Sequence, residues 1–490
     1  MMKLKELLNI LDVISIKGDP DKEITSIVYD SRKACVNSLF VCITGYLKDG
    51  HEYAAKAYEN GARSFIVEKE IALPEDATML IVGDSRRALS NSSAFFFDYP
   101  SKKLLTVGLT GTKGKTSTSF MLKSILEKAG YNVGLIGTNG IHYGDHHQET
   151  ENSTPESYEI HYHLNEMVKN ECNAAIIEAT SQAFKLSRVA DLYFDVSIFT
   201  NMGYDHIGDN EHKDFDEYLS CKKQIFKQSK CVAVNRDTEH FEDIIRDEDC
   251  EIITFGFNED SDYIGSSPTY QTINNTFQTS FYCKNKLELH KFDLAIPGRF
   301  SVENALGAIS AMRKIGISYD DIRTGLRIAI VTGRMEILPD TDQKIVIIDY
   351  AHNEMSMKSL FETVKLYSDK RIINVFGAGG NRSKLRRYTM GEVSGNLADL
   401  SIITSDNPRY EKLDDIISDI LIGMHKTNGE YLIVKNRREA IYKALSLAKE
   451  GEIVLLCGKG QQDYEEIEGV KYHLDEREVV KDYFSSLDGK

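Results

Sequence analysis

The sequence has fewer basic than acidic residues, no closely paired cysteines and no long apolar run, and each shortage removes a class of function. Lys and Arg number 59 against 75 Asp and Glu, so no broad nucleic-acid face is expected. Any anionic ligand must then be met by a local basic pocket. The eight cysteines, at 35, 42, 172, 221, 231, 250, 283 and 457, form no C-x-x-C pair and no regular spacing, which reads as reduced thiols in a cytoplasmic protein. No run approaches the roughly 18 apolar residues that a membrane span needs. Between Met1 and Ile16, Asn9 and Asp12 interrupt the apolar stretch and no small-residue cleavage site follows, so an amphipathic first helix is expected there, not a signal peptide. Internal repeats and low-complexity segments are absent.

What is present is an ordinary globular balance, 41% apolar and 27% charged, over 490 residues. That length exceeds one core and predicts about three domains of roughly 150 residues each. Residues 1–100 alternate strand-like and helix-like pieces, "SLFVCITG", "HEYAAKAYENGA" closed by Gly61, and "RSFIVE", as a small α/β domain would. A second block opens with "KLLTVGLTGTKGKTSTSFMLKSILEKAG", an apolar strand, a Gly-rich turn and a helix ending at Gly130, the first βα unit of a nucleotide-binding domain. The third block, from about Gly333, offers the runs "KIVIIDYAHN", "RIINVFGAGGN", "LSIITSDNPR" and "EIVLLCGKG". Buried parallel strands read as continuous apolar runs, and open α/β sheets bind ligands beyond the carboxyl ends of their strands. In all four runs the polar or Gly-rich residues lie at that end.

Gly111-Thr112-Lys113-Gly114-Lys115-Thr116, with Ser117 beyond, fits the spacing of a phosphate loop. Glycines let backbone N–H groups turn onto phosphates, the following helix adds its positive N-terminus, Lys115 reaches the β/γ oxygens, and the Thr116 hydroxyl can ligate Mg²⁺. The plainer alternative is a connecting Gly-rich turn. In "NAAIIEATSQ", Glu178 ends a buried-strand run, where a carboxylate usually has a partner such as a metal; an ordinary strand-end glutamate is the alternative. "FTNMGYDHIGDNEH" adds Asp205 and His206, and "YLSCKKQIF" adds Lys222 and Lys223 on a helix. Taken singly, these read as a surface His/Asp pair and a solvated lysine face.

Taken together, the residues resemble the Mur ligase family, and within it the UDP-N-acetylmuramyl-tripeptide synthetases (MurE type). The resemblance covers nearly the whole chain in order: "DSR", "GYLKDGH", "GLTGTKGKTS", "STPES", "EATSQAFKLSRV", "FTNMGYDHIG", "YLSCKKQIF", "GRFSVENALGA", "GRMEI", "DYAHN", "FGAGGNR", "SDNPR" and "GKGQQD". It implies three α/β domains: residues 1–100 binding the UDP end of a substrate, residues 101–331 forming a central phosphate-loop ATPase domain, and residues 332–490 forming a Rossmann-like domain that binds an amino acid. Tyr29, Ser31, Tyr46, Leu47 and Lys48 would hold the UDP end. Asn152, Ser153, Thr154, Thr180, Arg188 and Lys222 would line the muramyl-peptide path. ATP would meet the loop from Gly111 to Ser117 together with Asn304, Arg334 and Asp349. The incoming amino acid would meet Arg382, Asp406, Asn407, Pro408, Arg409, Gly458 and Gln462.

The implied reaction moves the γ-phosphoryl of ATP onto the D-glutamate carboxylate of UDP-MurNAc-L-Ala-D-Glu, and an amine then attacks the acylphosphate. Lys115, Glu178, His206 and Lys222 are the implied catalytic set, and Thr116, Glu178, His206 and Lys222 the metal ligands for two Mg²⁺. Lys222 matches a lysine that carries a carbamate made with CO₂ (N6-carboxylysine); a lysine cannot ligate Mg²⁺, whereas its carbamate can. Such an enzyme is a carbon–nitrogen ligase of peptidoglycan precursor synthesis, serving cell-wall growth, shape and division. It is expected in the cytoplasm as a monomer, with no nucleic-acid or membrane partner.

Several positions bear on which amino acid is added. Arg409 goes with meso-2,6-diaminopimelate, whose second carboxylate a guanidinium can grip bidentately. Gln462 stands where diaminopimelate-adding relatives usually carry a glutamate for the far ammonium, and keeps an acceptor but not the charge; Asp463 is the neighbouring candidate for compensation. Gln182 replaces a histidine found in many relatives, the "DHIG" loop is closer to lysine-adding members, and Lys412-Leu413 replaces a usual Asp-Pro. The expectation is meso-diaminopimelate, with L-lysine or meso-lanthionine as alternatives. A folylpolyglutamate or cyanophycin synthetase is disfavoured by the N-terminal "DSR" and "GYLKDGH" segments. A nucleotide-binding paralogue without ligase chemistry is disfavoured by Glu178, His206 and Lys222 occurring together.

Overall fold

The computed structural model describes residues 2–45, 48–208, 211–339 and 341–488. Tyr46 and Leu47 therefore lie outside the described residues. The chain forms two compact units: Met1–Ile264 with Glu303–Gly325, and Gly265–Val302 with Leu326–Lys490. Among the described residues no helix is long and apolar enough to cross a membrane, and all eight cysteines are free thiols.

The first unit begins with a five-stranded sheet in the order Val13–Lys17, Thr78–Val82, Ser64–Val67, Ser38–Val41, Ser26–Val28. Only the first strand runs antiparallel to its neighbour. The amphipathic helix expected over the first 16 residues does not form. Met2–Lys3 pairs with Glu23–Ile24, a 3₁₀ helix spans Leu4–Asn9, and Val13–Lys17 joins the sheet edge. Leu4, Leu7 and Leu11 are buried as a helical spacing requires. The flanking strand pairings, which are tertiary, take up the rest of the segment.

The larger sheet of this unit carries the phosphate loop. Val133–Gly137, Ala174–Glu178, Leu105–Thr110, Val196–Phe199, Cys231–Asn235 and Glu251–Gly256 lie side by side, all parallel. Ala174–Glu178 is buried at every residue, the condition that a sheet covered on both faces imposes. Lys115–Lys128 packs on it through Met121, Leu122, Ile125 and Leu126, a spacing that lines one helix face. Each such side chain, fully buried, contributes about 1.5–3 kcal/mol relative to exposure.

The second unit holds a six-stranded sheet in the order Glu336–Ile337, Ile345–Asp349, Ile453–Cys457, Ile372–Phe376, Leu400–Ile403, Tyr431–Ile433, parallel except for the first strand. Alternate residues face opposite layers. Ile345, Ile347 and Leu455 pack with Met357, Phe361, Met390 and Ile420 on one face. Val346, Ile348 and Leu456 pack with Ile441, Leu445, Val479 and Val480 on the other. This is a doubly wound sheet whose four central strands are the four apolar runs read from the sequence, and their carboxyl ends deliver Asp349, the Gly377–Gly380 turn, the Asp406–Arg409 loop and Gly458 to one edge.

Candidate active site

The phosphate loop needs glycine at two positions. Gly111 has φ +138° and Gly114 φ +87°, backbone that L side chains rarely adopt. A methyl on Gly111 would collide with Thr200 Oγ1, and one on Gly114 with Asn304 Oδ1. Asn304 thus borders the loop from the helix Arg299–Lys314. The helix Lys115–Lys128 starts immediately after Gly114, which aims its N-terminal N–H groups at the same place. Lys115 Nζ donates to Gly111 O at 2.8 Å and Thr112 O at 3.2 Å. Burial holds its pKa below the usual lysine value, opposed by Glu178 and Asp205.

Glu178 is fully buried at the end of its strand. Its Oε2 accepts from Thr116 Oγ1 at 3.1 Å and Thr138 Oγ1 at 2.9 Å, and its Oε1 from Ser119 Oγ at 3.2 Å. Desolvation pushes its pKa above the ordinary glutamate value, with Lys115 as the strongest opposing influence. A carboxylate linked to the phosphate-loop hydroxyl is the hard oxygen donor set that Mg²⁺ prefers, so Thr116 and Glu178 fit that ion. Ser119 and Thr138 complete the cage and were not read from the sequence. Ser119 lies one helical turn beyond Thr116, a periodicity that could have pointed to it.

Lys222 is 1% exposed, although its helix Phe215–Lys227 reads as a solvated face by local pattern. Its Nζ donates to Gly111 O at 2.8 Å, the carbonyl that Lys115 also uses, and lies 4.8 Å from the Tyr218 ring centroid. Burial and then the Lys115 ammonium draw its pKa well below the ordinary value. His206 is exposed, has φ +55°, and places Nδ1 3.2 Å from Glu211 Oε1. Among the described residues no group of three or more His, Cys, Asp or Glu is arranged to hold a metal.

The path residues form a continuous polar network in the same unit. Thr154 Oγ1 donates to Glu178 O at 2.7 Å and lies 3.2 Å from Thr180 Oγ1. Ser153 Oγ is 3.0 Å from Thr138 Oγ1. Arg188 donates to Thr154 O and to Glu156 Oε1, both at 3.0 Å, and Arg86 reaches Glu156 Oε2 at 3.2 Å. Glu156 and Arg86 are further residues that only the fold brings here. Asn152 is exposed, and Gln182 is packed inward with both amide atoms lacking a hydrogen-bond partner among the described residues. Tyr29 OH donates to Glu159 Oε1 at 2.6 Å, Ser31 is buried in a 3₁₀ turn capped by Asp30, and Lys48 is exposed with its carbonyl bonded to Gly45 N–H.

In the second unit, Asp349 accepts from Met335 N–H at 2.8 Å; burial raises its pKa, while Arg334, stacked over Tyr350, opposes that rise. Asp406, Asn407 and Pro408 are buried, and Asp406 Oδ1 lies 3.5 Å from the buried Lys459 Nζ. Arg409 has φ +53°, its Nε donating to Glu466 Oε2 at 3.1 Å and its Nη1 to Gly380 O at 3.0 Å. A methyl built on Gly379 would lie 3.8 Å from Arg382 Cγ and 3.9 Å from Arg409 Nη1, so both arginines border one small space. Gly458 abuts Asp406 Oδ2. Gln462 Oε1 accepts from Asn407 Nδ2 at 2.9 Å. The sequence could not show that contact, because Asn407 and Gln462 meet only across the fold.

A phosphate loop opening a parallel sheet in one unit, and a doubly wound sheet with a cationic loop at its carboxyl edge in the other, define an α/β enzyme that uses a nucleoside triphosphate. Residues 23–93 match the Mur ligase family catalytic domain, residues 109–312 the Mur ligase middle domain, and residues 333–460 the Mur ligase glutamate ligase domain. The chain belongs to the Mur ligase family. It is 36% identical over 496 residues, covering 100% of both chains, to the UDP-N-acetylmuramoyl-L-alanyl-D-glutamate--2,6-diaminopimelate ligase of Clostridium perfringens (strain 13 / Type A). The enzyme of that name from Clostridium botulinum (strain ATCC 19397 / Type A) is 38% identical over 492 residues, 99% of this chain and 100% of its own. Among solved structures, a ligase of that same name superposes with TM-score 0.73 at 23% identity, covering 99% of each chain. MurF ligase from Thermotoga maritima in complex with ADP superposes with TM-score 0.57 at 17% identity, covering 95% of this chain and 97% of that one. At those identities the two structures bear on the fold.

Proposed function

We propose that this chain is an ATP-dependent amide ligase that joins a diamino acid to the D-glutamate carboxylate of UDP-MurNAc-L-Ala-D-Glu in peptidoglycan precursor synthesis, with meso-2,6-diaminopimelate as that amino acid. The observation that carries this reading is the end-to-end match, at 36% and 38% identity, to ligases named for that reaction. In the proposal, residues 1–100 hold the UDP end, residues 101–331 bind ATP and residues 332–490 bind the incoming amino acid. Action in the cytoplasm as a monomer belongs to it too, all proposed site residues being on one chain.

The chemistry starts from an inert pair, since a carboxylate does not acylate an amine at neutral pH. Backbone N–H groups of the Gly111–Thr116 loop and the Lys115 ammonium hold the triphosphate and offset the charge that gathers as the glutamate carboxylate attacks the γ-phosphorus. ADP leaves and an acylphosphate forms on the substrate. The amine then attacks its carbonyl, phosphate departs, and a proton is released. Mg²⁺, when bound by Glu178 and Thr116, supplies further neutralisation of phosphate charge. Lys222 supports the same reading: its amine is buried against the phosphate loop, and as a carbamate made with CO₂ it would join Glu178 as an oxygen donor. Two Mg²⁺ ions, with His206 as a ligand, complete the proposed set.

The test offers purified protein, ATP, Mg²⁺ and UDP-MurNAc-L-Ala-D-Glu to meso-diaminopimelate, L-lysine and meso-lanthionine in separate reactions, with phosphate release and product mass recorded. Turnover fastest with diaminopimelate is expected. No release with any of the three removes the ligase reading; preference for lysine removes the diaminopimelate assignment alone.

A further inference from the structure

We propose that Glu466 meets the far ammonium of the incoming diamino acid, beside Arg409, whose contact with the far carboxylate belongs to the ligase reading above. The proposal rests on the ligase reading above and names the residue that supplies the charge absent from Gln462.

The hydrogen-bond network decides which side chain can receive an ammonium. Asn407 Oδ1 accepts from Lys459 Nζ at 3.2 Å and from Glu466 N–H at 2.9 Å, which fixes its amide with Nδ2 toward Gln462. Gln462 Oε1 takes that proton at 2.9 Å, which leaves it one lone pair on an uncharged oxygen beside the donor Nε2. A neutral amide supplies an ammonium with no counter-charge. Glu466 can supply one. Its Oε2 accepts from Arg409 Nε at 3.1 Å, and among the described residues no hydrogen bond engages its Oε1 or Arg409 Nη2.

The backbone holds the two side chains as one unit. Arg409 N–H donates to Glu466 O at 3.0 Å and Glu468 N–H donates to Arg409 O at 2.8 Å, a bridge that docks the hairpin Tyr464–Ile467/Val470–His473 onto the Asp406–Arg409 loop. Both side chains stay about a quarter exposed, 26% and 25%, so the pair is reachable by a ligand. A head group carrying one ammonium and one carboxylate is the electrostatic complement of a guanidinium beside a carboxylate, and binding it leaves the local net charge unchanged. A partly exposed ion pair that served stability alone would contribute little.

The experiment uses two ligands that each lack one group: 2-aminopimelate, without the far ammonium, and L-lysine, without the far carboxylate. In wild type, KM should be lowest for meso-diaminopimelate. Glu466→Gln should raise KM for diaminopimelate about tenfold or more while leaving KM for 2-aminopimelate within about twofold, as expected when one charged hydrogen bond is lost. Arg409→Ala should do the converse, raising KM for diaminopimelate and 2-aminopimelate but not for lysine. Glu466→Asp, which keeps the charge, should recover part of the diaminopimelate preference. If Glu466→Gln raises both KM values equally, Glu466 only positions Arg409 and the proposal falls; an unchanged KM for diaminopimelate overturns it as well. Absence of turnover in wild type with every amino acid would count against the ligase reading instead.

Discussion

Arg437 and Glu476 are both 0% exposed, and their ion pair lies beneath two of the loops assigned to the incoming amino acid. Arg437 Nε donates to Glu476 Oε1 at 2.8 Å, Nη1 to Ser405 O at 2.9 Å and Nη2 to Cys457 O at 2.8 Å. Those carbonyls immediately precede Asp406 and Gly458. Glu476→Gln keeps the size and an acceptor but leaves the guanidinium without its counter-charge in a dry interior, which costs about 3–5 kcal/mol. Arg437→Met/Glu476→Leu removes both charges and forfeits two bonds to carbonyls, about 1 kcal/mol each, so the double variant should lose only about 2 kcal/mol. Urea unfolding of the full chain, followed by hydrogen exchange in Ile453–Cys457, would measure both, and the single variant should also raise KM for the diamino acid. A double variant as unstable as the single, or more so, would refute the reasoning, because the loss would then come from packing and not from a stranded charge.

Two further outcomes follow from the first unit. Depleting CO₂ should slow turnover and added bicarbonate should restore it in wild type, whereas Lys222→Ala should be inactive with or without bicarbonate; near-wild-type activity in that variant would take Lys222 out of the site. His161 is fully buried with both ring nitrogens unpartnered among the described residues, and desolvation lowers its pKa to about 3. The unfolded chain binds the proton near pH 6.5 and the folded chain does not, so this stability is whole above 6.5 and drains away as pH falls toward 3. His161→Leu should flatten that slope by up to a few kcal/mol between pH 6.5 and 4 in chemical denaturation; an unchanged slope would show that another group sets it.

The sequence exposed what depends on local pattern and hid what depends on long-range pairing. Gly111, Gly114 and Lys115 are legible because a strand, a positive-φ turn and a helix start follow one another within a dozen residues. Glu178 is legible as a carboxylate ending a buried run. The hydroxyl of Thr138 on that carboxylate comes from 40 residues away, and Glu466 reaches Arg409 across 57. No periodicity encodes either. The first 16 residues show the opposite failure, since Leu4, Leu7 and Leu11 satisfy a helical spacing that strand pairing at both ends overrides. Gln462 is legible as uncharged, but its partner Asn407, itself oriented by Lys459 and the Glu466 backbone, is not.

The two lysines at the phosphate loop carry the argument one step further. Lys115 and Lys222 donate to the same carbonyl, Gly111 O, each at 2.8 Å, and each depresses its own charge by burial. As two ammoniums they repel each other; Glu178 and the exposed Asp205 oppose this at Lys115, and Asp205 at Lys222. In the proposed carbamate form the sign at residue 222 reverses, and it becomes an attractive neighbour for Lys115. A nearby negative charge favours the protonated lysine. Carbamylation would therefore do more than add an oxygen ligand, since it would hold Lys115 as the cation that the transferring phosphoryl group requires.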